Sequence, residues 1–232
     1  MNTLPALPPR GRGIRSFVLR QGRITRGQRS AFIRLMPRYG LDPAHGAFDF
    51  TSTFDREARR TLEIGFGNGE ALLVLARAHP EEDFLGVEVH RPGIGRLLLA
   101  LEAEQLSNVR VVCADAVDVL QRCVPDASLD AVLIYFPDPW PKKRHHKRRL
   151  VQPEFIALVA HKLKSGGRLQ LATDWPEYAE QMLAVLSACP DLVNTAGDDG
   201  YAPRPPQRPL TKFEHRGLKL GHPVRDLVFV RR

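Results

Sequence analysis

The run Asp130-Ala131-Val132-Leu133-Ile134-Tyr135 is apolar after its first residue and does not alternate with polar positions. A short strand of that kind is buried on both faces, as in a parallel sheet covered by helices. The run stops at Phe136-Pro137-Asp138-Pro139-Trp140-Pro141, where each proline fixes its own φ at about −65° and pushes the residue before it toward extended geometry. Asp138 therefore sits in a stiff turn at the carboxyl end of a strand, the edge where open α/β sheets place their ligands. Immediately downstream, Lys142-Lys143-Arg144-His145-His146-Lys147-Arg148-Arg149 supplies six lysines and arginines. A carboxylate of buried type beside a phosphate-binding strip points to chemistry on a nucleic acid. The plainer alternatives are a turn-capping aspartate and a solvated or localisation-type basic loop.

A second bend lies upstream. Thr61-Leu62-Glu63-Ile64 reads as a strand that breaks at Gly65-Phe66-Gly67-Asn68-Gly69, and Glu70 to Arg77 resumes with helical character. Glycines there admit positive φ and let a ligand approach the backbone at a helix start. The dinucleotide fingerprint needs its third glycine three residues after the second, whereas Gly69 follows Gly67 by two and Glu70 takes the fingerprint position. A nucleoside site is favoured over a nicotinamide site. Asp83 to Val89 reads as the next strand, and Glu88 falls 23 residues after Gly65, about where an acidic side chain would meet ribose hydroxyls. An ordinary strand-to-helix turn is the alternative.

The alternation of strand and helix predicts one α/β domain with a doubly wound sheet. Val109 to Ala114 reads as the third strand, ending at Asp115, with a short helical turn closing at Leu120. Pro153 to Leu163 carries apolar residues at helical spacing, and Ser165-Gly166-Gly167 would cap it before a strand from Arg168 to Ala172 that ends at Thr173-Asp174-Trp175-Pro176. A helix from Glu177 to Ala188, a proline-rich surface loop from Tyr201 to Pro209 and a strand from Arg225 to Arg231 complete the pattern. Glu63, Glu88, Asp115, Asp138 and Asp174 thus fall in or just after five predicted parallel strands and would gather along one edge. The bland reading of any one of them is that strand ends are polar because loops begin there.

A formal charge of +8 over 232 residues favours an anionic partner. Nucleic acid fits better than membrane, because no basic amphipathic helix or long apolar span is present. Cys113, Cys123 and Cys189 are too few and scattered for a disulfide framework or a metal site; they are expected to be small core residues of a protein in a reducing cytoplasm. No metal is expected, since the histidines lack ligand spacing. From Arg10 to Tyr39 there are many arginines and no Asp or Glu, a composition that would also suit a mitochondrial transit peptide. Pro5, Pro8, Pro9, Gly11 and Gly13 break a continuous amphipathic helix there, which favours a partly flexible basic arm on RNA over residues 1–40, with the catalytic domain at 41–232.

In chain order, Leu62 to Gly69, Gly86-Val87-Glu88, Phe136 to Trp140 with Lys142 and Arg144 to Arg149, Ala172-Thr173-Asp174 and Thr211-Lys212-Phe213-Glu214 resemble the motifs of the bacterial tRNA (guanine-N7-)-methyltransferases. Ile14-Arg15-Ser16-Phe17 through Arg20-Gln21-Gly22-Arg23 is similar too. The resemblance implies a Rossmann-like class I SAM-dependent methyltransferase, α/β, with a doubly wound, mostly parallel seven-stranded sheet. It implies methyl transfer from S-adenosyl-L-methionine to N7 of the guanine at position 46 in the variable loop of tRNA, by a monomer or homodimer with no obligate protein partner. By the same likeness Glu63, Gly65, Gly67, Glu88, Asp115 and Asp138 would bind the cofactor, Glu88 through the ribose and Asp115 on the adenine side. Asp138 would also be the catalytic residue, near cofactor and base. Lys142, Asp174, Thr211, Lys212, Phe213 and Glu214 would contact the target nucleoside, and Arg144, His145, His146, Lys147, Arg148 and Arg149 the RNA backbone. Cys113-Ala114-Asp115-Ala116 stands where Asn-Ala-Asp-Ala is a common family form.

The chemistry is coherent apart from any family. Guanine N7 offers an in-plane lone pair and its methylation removes no proton, so a strong general base is unnecessary; a fixed carboxylate such as Asp138 would stabilise the positive charge developing on the purine. Enzymes acting on exocyclic amines or on cytosine carbon 5 fit less well. Asp138-Pro139-Trp140 replaces an Asn-Pro-Pro-Tyr type turn, and in place of a Pro-Cys nucleophile there is only Cys189-Pro190, in reverse order. An RNA-binding module without catalysis is the alternative of a different class, and binding of the methyl donor separates the two.

Overall fold

The computed structural model describes residues 17, 24–196, 200–210, 214, 221 and 223–232. Its helices are α1 (Arg26–Tyr39), α2 (Phe50–Phe54), α3 (Glu70–Ala78), α4 (Arg91–Ala103), α5 (Ala116–Arg122), α6 (Pro153–Lys162) and α7 (Pro176–Ser187). Among the described residues the strands are β1 (Arg60–Ile64), β2 (Asp83–Val87), β3 (Val109–Val112), β4 (Leu129–Tyr135), β5 (Leu163–Thr173), β6 (Leu192–Asn194) and β7 (Arg225–Arg231). Each strand read from the sequence is present, and β6 is an addition. The described residues fall into two compact units, one holding residues 24–125 and the other Phe17 with the described residues from Asp126 onward.

In the first unit β1 pairs with β2 and β2 with β3, all parallel, with Glu63 opposite Gly86 and Phe84 opposite Val109. Every residue of β2 is buried, as the lack of polar alternation requires. Helix α1 lies inside residues 1–40, expected to be a partly flexible basic arm. Thr25 caps it reciprocally with Gln28, and Ala31, Phe32, Leu35 and Tyr39 form a buried stripe at helical spacing. The stripe docks on α4, where a Cβ on Gly95 would lie 2.6 Å from the Gln28 carbonyl, so glycine is what permits the approach. Arginine content concealed this apolar face from a reading based on charge.

In the second unit β4 pairs parallel with β5, while β5–β7 and β7–β6 are antiparallel. The strands are therefore mixed in direction, with the antiparallel pairings confined to β7. Gly166 and Gly167 do not cap α6, which ends at Lys162 as β5 begins. They sit instead where the β4–β5 register jumps from Leu129↔Leu163 to Ala131↔Arg168, with Gly166 at φ +78° absorbing the irregularity. The proline-rich loop is not wholly a surface wrap either, since it drives Arg208 into the interior. Cys123 and Cys189 are buried as expected, but Cys113 is only half-buried. Among the described residues no helix is long and apolar enough to cross a membrane.

Candidate functional site

The glycine bend of the first unit is knitted to the ends of its strands. Gly65 N–H donates to the Val87 carbonyl at 2.8 Å, and Glu88 N–H to that of Val112 at 3.1 Å. Gly65 and Gly67 have φ of +74° and +57°, and a Cβ on either would meet nothing within 4 Å. Those two glycines leave open space above the bend. Gly69 serves packing, because its Cβ would fall 2.7 Å from Leu97. Helix α3 starts here, so the positive end of its dipole lies at this bend.

Three carboxylates line this end of the unit. Glu88 is buried and accepts hydrogen bonds from the amides of Gly67 at 2.8 Å, Val89 at 2.6 Å and His90 at 2.9 Å. It holds the glycine bend in shape, a role beyond the expected ribose contact. Glu63 is 4 % exposed, and its Oε2 has no hydrogen-bond partner. Burial, and secondly the charge of Glu88, push its carboxyl up to about 8 against the pull of the Leu72 backbone. Glu63 is thus mostly protonated at neutral pH. Asp115 is half-buried and caps α5 by accepting from Val117 N–H at 2.9 Å.

In the second unit Tyr135 and Ala172 are partners across parallel strands, so Asp138 and Asp174 emerge from the same edge. Phe136 N–H donates to the Ala172 carbonyl at 2.8 Å. Asp138 is exposed, which corrects the expectation of a buried-type carboxylate: the turn carries it clear of the strand end. Asp174 is half-buried. The five carboxylates are gathered as three in one unit and two in the other.

The basic strip is less uniform than its sequence. Lys143–Arg148 winds as a 3-10 segment, with Lys142, Lys143, Arg144 and Lys147 exposed and His145, His146 and Arg148 half-buried. Arg148 lies over Trp140 at 5.2 Å, and His145 packs edge-on against the same ring. Desolvation, then the surrounding cations led by Arg144, lower the His145 pKa. Arg149 is 2 % exposed and belongs to the interior.

Of the Thr211 to Glu214 motif, Thr211, Lys212 and Phe213 lie outside the described residues. Glu214 is 3 % exposed, and both its oxygens accept from Arg208, at 2.6 and 2.8 Å. Arg208 also lies 2.6 Å from Asp226 on β7 and 5.9 Å from the Phe136 ring. Burial raises the Asp226 pKa, and Arg208 opposes it. Sequence reasoning missed Arg208 and Asp226: an arginine in a proline-rich loop carries no local sign that it will turn inward.

A family model described as "Putative methyltransferase" matches residues 57–227. A tRNA (guanine-N(7)-)-methyltransferase of Methylococcus capsulatus is 57 % identical over 224 residues, covering 97 % of this chain and 96 % of the relative. One of Marinobacter nauticus is 56 % identical over 220 residues, covering 95 % and 92 %. Among solved structures, the 16S rRNA methyltransferase KamB aligns with a TM-score of 0.56 at 15 % identity over 79 % of this chain and 93 % of its own. The aminoglycoside resistance methyltransferase NpmB1 aligns at 0.53 and 18 %, over 79 % and 92 %. These two share the fold.

Proposed function

The chain belongs to the tRNA (guanine-N(7)-)-methyltransferase family, and on that premise we propose that it methylates N7 of guanine 46 in the variable loop of tRNA, in the cytoplasm. The observation that carries the reading is identity above half over nearly the full length of relatives so named. The donor is S-adenosyl-L-methionine, which supplies an electrophilic methyl on a cationic sulfur. The first unit's residues suit such a ligand. Gly65 and Gly67 leave a cradle that a side chain would fill, and the orphaned Glu63 oxygen is a buried acceptor suited to a donor that carries positive charge. Glu88 and Asp115 complete the proposed cofactor set on the ribose and adenine sides, and Glu88 also keeps the glycine bend open.

Asp138 is proposed as the catalytic carboxylate, countering the positive charge that develops on the purine as N7 takes the methyl. Lys142, Asp174 and the Thr211 to Glu214 segment are proposed to hold the target nucleoside. The exposed Arg144 and Lys147, with Arg148 and the histidines beside them, would meet the RNA backbone. The remaining basic residues of 1–40 are proposed to assist from the amino-terminal side. Incubating the protein with unfractionated tRNA and labelled donor, then resolving the nucleosides, tests the reading; label on any atom other than guanine N7 refutes it. In the same assay Asp138→Ala is expected to lose on the order of 10² to 10³ in rate while still binding the donor.

A further inference from the structure

We propose that Arg149 is a positioning residue that braces the Asp138 turn and does not bind phosphate. The proposal rests on the catalytic reading of Asp138 given above. Phe136 and Trp140, which bracket Pro137-Asp138-Pro139, both hold left-handed backbone, at φ +51° and +46°. Residues with side chains persist there only where the surroundings over-determine them. Pro137 and Pro139 have no N–H to donate, so a donor from outside the turn supplies what they cannot.

Arg149 meets that need. Its Nε donates to the Pro139 carbonyl at 2.8 Å, one residue beyond Asp138. The guanidinium lies 4.9 Å over the Tyr178 ring, Nη1 donates to Gln181, and Nη2 is 3.0 Å from His146 Nε2. Gln181 and Tyr178 belong to α7, and both also bond the Val151 backbone, at 3.2 Å each. The Glu177 carboxylate lies 3.6 Å from Nη2. One planar fork thus ties the strained turn to a helix. A guanidinium already shared among a carbonyl, an amide oxygen, an imidazole and an aromatic face is spoken for. The strip's last arginine differs in kind from exposed Arg144 and Lys147.

Fork geometry, not charge, is what this role demands, so lysine cannot replace arginine here. The test compares wild type, Arg149→Lys, Gln181→Met and Lys147→Ala for kcat, KM for tRNA, the dependence of KM on salt, and donor binding by calorimetry. Arg149→Lys, which keeps the charge, is expected to lower kcat on the order of 10²-fold through misplacement of Asp138. Its KM, salt slope and donor affinity should stay at wild-type values. Gln181→Met should lower kcat by roughly tenfold in the same pattern. Lys147→Ala should instead raise KM and flatten the salt slope. Wild-type kcat in Arg149→Lys, or a salt slope it flattens as Lys147→Ala does, overturns the proposal. Should Arg149→Lys fail to fold by its thermal transition, Gln181→Met decides alone: lowered kcat with an intact slope supports the brace, and unchanged kcat removes it. If wild type itself places no methyl on guanine N7, the functional reading fails and the proposal with it.

Discussion

The two bends that follow strands β1 and β4 solve opposite problems. At Gly65 and Gly67 positive φ costs little, because there is no Cβ, and the bend leaves open space. At Phe136 and Trp140 the same backbone region is occupied by large side chains, and the bend presents a carboxylate. A turn that must admit a ligand sheds its side chains. A turn that must display one accepts strain, on the order of 1–2 kcal/mol per left-handed residue, and needs support. The supports also differ. Glu88 steadies the first bend through the Gly67 amide, whereas buried arginines flank the second, Arg149 at Pro139 and Arg208 beneath Phe136.

Arg208 offers the hardest blow to this contrast. Arg208→Met leaves Glu214 and Asp226 buried without their counter-ion, and the loss is expected at about 3–5 kcal/mol by denaturant unfolding. A cost below about 1 kcal/mol, the worth of a surface ion pair, would mean that the second bend does not lean on buried charge. At the first bend the expected effect is smaller and depends on pH. Glu63 holds a proton in the folded state that the unfolded chain releases near 4.5, so stability without donor falls as pH rises from there to about 8. The slope is at most about 1.4 kcal/mol per pH unit. Glu63→Gln should flatten it, and affinity for the cationic donor should rise with pH over the same window in wild type alone; parallel pH profiles for the two proteins would discard the protonated Glu63. The smallest effect belongs to the exposed strip. Arg144→Ala is expected to leave unfolding within about 0.5 kcal/mol of wild type and to reduce the slope of log affinity for tRNA against log salt by roughly 0.7 to 0.9. An unchanged slope would take Arg144 off the phosphate path.

Much of the architecture was readable because period and punctuation are local. Strands buried on both faces are apolar runs, and Ala131 to Tyr135 of β4 announced itself that way, while the glycine and proline bends marked Glu63, Glu88, Asp138 and Asp174 at or near strand ends. Helix α1 was hidden because its arginines outnumber the stripe of Ala31, Phe32, Leu35 and Tyr39, which has meaning only once α4 is there to receive it. Gly166-Gly167 resembled a helix cap, since a cap and a bulge both ask for positive φ, and strand register decides between them.

The amino-acid sequence by itself determined where the chain bends and which residues stand at each bend, because proline, glycine and apolar runs act over a few residues. Only the tertiary structure decided which charges remain in water. Arg148 and Arg149 are neighbours with the same side chain, yet one lies over Trp140 and the other is enclosed against α7. Desolvation depends on what packs around a group, and that comes from distant parts of the chain.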